Sequence, residues 1–137
     1  MNPMADRTRE RLTALRNGLL KWHKSLLDVE RAAYERDVAR ITNSGHYLEL
    51  VLGDPWFAWL REVSQFIVIV DEMLAQKEQP PTPADADRLI AQARELLVPS
   101  ESGPEFARRY NESMQRDAAA VLAHGELMMV FAELGKD

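Results

Sequence analysis

His23, Glu30 and Tyr34 are the side chains best placed for chemistry, because they fall with Leu20, Leu27 and Val38 on one line of a helical repeat. An imidazole, a carboxylate and a phenol at a core margin must each find a partner or shift their proton affinity. Trp22, Trp56 and Trp59 add indole walls if the helices that carry them run antiparallel. A cavity lined by His23, Glu30, Tyr34, Trp56 and Trp59 would hold a small organic ligand or support acid–base catalysis. The same residues have a second explanation: a buried hydrogen-bond network that fixes helix register, with tryptophans filling volume.

Other chemistries find less support in the spacing. Di-metal carboxylate bundles use Glu-x-x-His pairs on two helices, and the chain has none; His46 and Glu49 have the reversed order and suit a helix-surface pair. His124, beside Gly125 on an apolar helix, reads as a satisfied core histidine, and nothing specific supports haem ligation by His23 and His124. The nucleophile-elbow, phosphate-loop and H-E-x-x-H patterns are missing. Ser100-Glu101-Ser102-Gly103-Pro104 precedes a helix, but Glu101 and Glu105 would oppose an anion, so it reads as a cap. With no cysteine, disulfides and thiolate sites are ruled out together. No catalytic residue, cofactor or metal is assigned.

The elements that must position these residues are helices punctuated by proline and glycine. Leu12, Leu15, Leu19, Trp22, Leu26, Val29 and Ala33 repeat at alternating three- and four-residue steps, the seam of coiled-coil-like packing, and predict a long first helix over 5–41. Thr42 to Gly45 breaks it, and a short helix over 46–52 follows. Asp54 and Pro55, as cap and first helical residue, then open a helix over 55–76 with Trp56, Leu60, Val63, Ile67, Val70 and Leu74 on its seam. The two pieces form a kinked second arm running back along the first helix. Gln79-Pro80-Pro81-Thr82-Pro83 is a turn, and Thr82 with Asp85 predicts a capping box for a helix over 83–98. Pro104 opens another helix with Phe106, Tyr110 and Met114 on one side, and Asp117 caps the last, 118–134, where Gly125 would let a neighbouring backbone approach closely. The expected fold is all-α: an up-and-down, four-helix-bundle-like domain over 1–137, with 1–5 flexible.

Phe66-Ile67-Val68-Ile69-Val70 is apolar without interruption, which predicts a central helix buried on more than one side. Val68 and Ile69 nevertheless share an arc with Arg61, Glu62, Ser64, Gln65, Asp71 and Glu72. Either another helix of the chain covers them or they form an interface, for which a homodimer is the expected partner arrangement.

Composition bounds these readings. With 137 residues, 46% hydrophobic and 28% charged, the chain matches one folded domain. No apolar run is long enough to span a bilayer and the first residues do not resemble a signal peptide, so a cytoplasmic location and no membrane association are expected. Net charge is −5, but 1–43 hold nine Arg and Lys against six acids, a local balance of +3. Basic arms of this kind can meet nucleic acid. Here the expected explanation is compensation by acidic neighbours in the fold, with no nucleic-acid partner.

Trp22 to Arg31, Asp54 to Arg61 and Phe106 to Tyr110 together resemble a bacterial family of small, uncharacterised all-helical proteins. The resemblance covers most of the chain, implies a bacterial origin and transfers no catalytic residue. The expected function is that of a non-enzymatic bundle acting in protein–protein interaction or self-assembly, a homodimer with Val68 and Ile69 in its interface. The alternative is a small-ligand-binding bundle or enzyme with its pocket near His23, Glu30 and Trp56.

Overall fold

The structure is a computed structural model and describes residues 3–135. Six α-helices follow in order: α1 Pro3–Asp37, α2 Ser44–Gly53, α3 Arg61–Ala75, α4 Pro83–Leu96, α5 Glu105–Arg116 and α6 Ala118–Leu134. A short 3-10 turn, Ala58–Leu60, precedes α3. The all-α bundle expected from the heptad seams is what the chain forms. Helix α1 starts at Pro3, so 3–5 are helical; Met1 and Asn2, the rest of the segment expected to be flexible, lie outside the described residues.

Helix α1 is 35 residues long, about 50 Å at 1.5 Å per residue. All seven residues of its predicted seam are buried, from Leu12 to Ala33. This makes α1 the hub of the fold, packed against α3, α4, α5 and α6. That role had been expected of the helix containing Phe66 to Val70. In α3 only Val63, Ile67 and Val70 are buried, while Val68 and Ile69 stay about half exposed. The flanking line on α1 also fails at its ends: Leu20 is 41% and Val38 55% exposed, whereas Glu30 and Tyr34 are buried. The 3-10 turn and α5 cover the middle of that line, and Val38 lies beyond the end of the helix.

Of the expected second arm, only the 3-10 turn and α3 run antiparallel to α1; α2 folds beside the turn, with Tyr47 against Leu27 and Arg31. Glu30 meets Trp56, Arg16 meets Asp71, and Arg9 reaches the Leu74 and Gln76 carbonyls, so rising numbers on one pair with falling numbers on the other. Helix α6 is antiparallel as well, with Lys21 beside Glu126 and Arg11 beside the Leu134 carbonyl. A methyl group on Gly18 would lie 3.2 Å from Leu127 Cδ1 and 3.3 Å from Val130 Cγ1, so glycine allows α1 and α6 to approach closely.

Local signals set most boundaries. Thr82 and Asp85 make the expected reciprocal capping box at α4, and Asp117 accepts from the Ala119 amide to start α6. Asn43 caps α2 by accepting from the His46 amide at 2.9 Å, which starts the helix at Ser44, ahead of the expected His46. The Asp54 carboxylate accepts from the Trp56 amide at 2.8 Å, yet the chain does not enter an α-helix at Pro55. Phe57, Trp59 and Leu60 are all buried. The chain makes a 3-10 turn here instead, with the Leu60 amide donating to the Phe57 carbonyl at 3.0 Å.

Candidate functional site

Two features are candidates: a polar network threaded through the core, and an apolar surface left outside it. The expected ligand-pocket residues divide between two clusters. Glu30, Tyr34 and Trp56 come together. The Trp56 indole donates to the Glu30 backbone carbonyl at 3.3 Å, and the Tyr34 and Trp56 rings meet edge to face at 5.8 Å. The Glu30 side chain is 1% exposed, and its Oε2 accepts from Ser113 Oγ at 2.9 Å and from the Arg116 guanidinium at 2.5 Å. A carboxylate that deep requires such partners, because desolvating an unpaired charge is far more costly than a hydrogen bond is favourable. Arg116 also lies over the Trp56 ring at 5.8 Å, and Arg109 donates to the Trp56 carbonyl.

Trp59 and Trp22 belong to the other cluster, both against Phe106, at 5.2 and 6.3 Å. The Trp22 indole donates to the Tyr110 hydroxyl at 3.1 Å, and that hydroxyl lies 2.6 Å from His124 Nδ1. An indole N–H can only donate, so the Tyr110 oxygen accepts from Trp22; with His124 as the Nε2–H tautomer, the hydroxyl proton goes to Nδ1. Burial favours the neutral form of both, pushing the Tyr110 phenol well above its usual range and the His124 imidazole below its own. His23 is partly buried beside Leu60; desolvation lowers its pKa and a hydrogen bond to the Leu60 backbone acts in the opposite sense.

The network thus joins α1, α5 and α6 by pairs that periodicity did not reveal. Ser113, Arg116 and Tyr110 were not among the expected site residues. Ser113 shares the Phe106 and Tyr110 face at helical spacing, so an inward hydroxyl was the available signal.

The basic first helix is compensated within the chain. Arg11 pairs with Asp87 at 3.0 Å, Arg16 with Asp71 at 2.5 Å and Lys21 with Glu126 at 3.1 Å. Arg9 donates at 2.7 Å to the Leu74 carbonyl at the end of α3, where a cation complements the helix dipole. Among the described residues no cluster of three or more His, Asp or Glu side chains could hold a metal ion, and no helix is long and apolar enough to cross a membrane.

The apolar surface is on α6. Ala120, Ala123, Leu127, Phe131 and Leu134 are buried on one side of the helix. On the opposite side Val121, Leu122, Met128 and Met129 are 51%, 68%, 50% and 71% exposed, in line with Ala118, Gly125 and Ala132. At about 100° per residue these seven fill the outer arc with no polar side chain among them. Two grooves flank it. One, between α1 and α6, has a volume of about 660 Å³ and includes Ala14, Gly18 and Val130. The other, about 500 Å³, is lined by Leu97, Val98, His124, Met128 and Phe131. A smaller apolar interruption, Val68 and Ile69 at 51% and 48% exposure, lies on α3.

No family model, curated protein or solved structure matches this chain.

Proposed function

We propose that this chain is a non-enzymatic helical interaction protein whose contact face is the outer side of α6. The observation that carries the proposal is the uninterrupted apolar arc there, with four large side chains half or more exposed. Contiguous exposed apolar surface of this kind marks interaction sites, whereas single exposed hydrophobics are ordinary. The polar residues that could have served chemistry support the same reading. Glu30 is engaged by Ser113 and Arg116, and Tyr110 by Trp22 and His124, which are the contacts of a register-fixing network. Val68 and Ile69, expected as the interface, remain open on α3 and form a second, smaller contact point.

A photo-crosslinking residue placed at Leu122 or Met129, in cells that make the protein, tests this. Covalent protein adducts should form there and not from the polar positions Lys24 or Glu49. Equal adduct yields from all four positions, or none from α6, would overturn it. Val68→Glu and Ile69→Arg should leave the α6 adducts intact and remove any that form through α3.

A further inference from the structure

We infer that the partner on α6 is a second copy of this chain, packed antiparallel about a two-fold axis that passes beside Gly125; this rests on reading α6 as a contact face. The outer residues are arranged symmetrically about that glycine. Leu122 and Met128 lie three residues to either side, Val121 and Met129 four, Ala118 and Ala132 seven. When a second α6 crosses in the opposite direction, Leu122 meets the partner's Met128, Val121 meets the partner's Met129, and Ala118 meets the partner's Ala132. Every contact is apolar on both sides, as an isologous interface demands. Ala118, Leu122, Gly125, Met129 and Ala132 also follow the four-and-three spacing of a helix seam.

Gly125 removes bulk at the crossing point. A Cβ built there has nothing within 4 Å, so the space outside it is open to a neighbouring backbone. The antiparallel direction opposes the two helix dipoles, where a parallel pair would align them. Polar groups stay at the rim: Glu126 is neutralised by Lys21, and His124 is turned toward Tyr110. The cleft lined by Leu97, Val98 and Met128 continues the apolar surface beyond one helix, and the one between α1 and α6 has charged walls that include Arg11, Lys21 and Glu133.

The chain has no cysteine, so single-cysteine variants report the geometry without background. Gly125→Cys should form a disulfide-linked dimer under mild oxidation, because its two copies face each other at the axis. Val121→Cys alone should not, since its two copies lie eight residues apart along the helices, about 12 Å, beyond the roughly 7 Å limit between Cα atoms for a disulfide. Mixed with Met129→Cys, it should give a cross-linked heterodimer. Before oxidation, sedimentation equilibrium of the wild-type chain should give twice the 15.6 kDa mass. Leu122→Glu, which enters the interface twice, should weaken association about 100-fold or more with helicity unchanged. Efficient self-linking of Val121→Cys would indicate a parallel pair and overturn the arrangement. A monomer at all concentrations with no disulfide at Gly125→Cys would overturn self-association. If photo-adducts of another mass still formed at Leu122 and Met129, the contact face would stand and this inference alone would fall.

Discussion

Arg116 of α5 reaches 86 residues back along the chain to place its guanidinium 2.5 Å from the Glu30 carboxylate of α1. The carboxylate is buried and the guanidinium partly exposed, so the pair ties the end of α5 to the C-terminal part of the long helix. Removing the arginine strands a charge in the core. Arg116→Ala should therefore lower unfolding stability by about 3–5 kcal/mol. Adding Glu30→Leu should recover much of that loss, because no buried charge then remains. A denaturant melt of both variants checks this; a double variant less stable than Arg116→Ala would show that the carboxylate has a further stabilising role.

Acid should loosen the fold through its histidines. Burial makes both His23 and His124 bind a proton more weakly in the folded chain than in the unfolded one. The unfolded state therefore gains protons first as pH falls, and stability drops with it. Their contribution is fully present above the ordinary imidazole value of about 6.5 and is lost progressively below it, down to the depressed folded values. Protonating His124 at Nδ1 also removes the acceptor used by Tyr110. The melting temperature should fall between pH 7 and pH 5. Replacing both histidines by glutamine should flatten that slope, and an equally steep slope in the double variant would assign it to other groups.

What the sequence revealed, and what it did not, follows from the range of the interactions involved. The Leu12 to Ala33 seam and the Thr82–Asp85 box are local patterns, and both are present as expected. The partners of Glu30 lie 83 and 86 residues away, and periodicity shows only that the carboxylate needs some. The 3-10 turn was hidden because Asp54-Pro55 is the same signal that starts an α-helix. Apolar composition misled most. Phe66 to Val70 suggested burial on several sides, yet Val68 and Ile69, two of its five residues, face out. Helix α6 is apolar on two opposite sides, and only the assembled bundle shows which of them is covered.

Tyr110 joins one buried donor, the Trp22 indole, to the partly buried His124 ring. Tyr110→Phe removes the acceptor of the buried Trp22 indole and the donor to His124 while keeping the ring. The expected cost is about 1–3 kcal/mol, the penalty for leaving a buried polar group unsatisfied. The His124 pKa should also move, because its Nδ1 is released from the hydroxyl. Thermal denaturation and NMR titration of the histidine ring protons read the two effects separately, and an unchanged titration would place the Tyr110–His124 contact outside the solution structure.

Two glycines should respond to substitution with opposite signs. At Gly18 a side chain meets Leu127 and Val130 at 3.2 and 3.3 Å, so Gly18→Val must push α1 and α6 apart. Overpacking a close helix contact costs about 1–3 kcal/mol. At Gly125 a Cβ has open space, and Gly125→Ala should gain about 0.5–1 kcal/mol in a dilute, unassociated chain by restricting the unfolded backbone. The sign of that gain should change with concentration. Where two copies cross at this position, the added methyl keeps the backbones apart, so the variant should be more stable than the parent when dilute and lose the advantage as association sets in. Urea midpoints measured across a hundredfold range of protein concentration would show the crossover; a constant gain at every concentration would mean that Gly125 does not face a second copy.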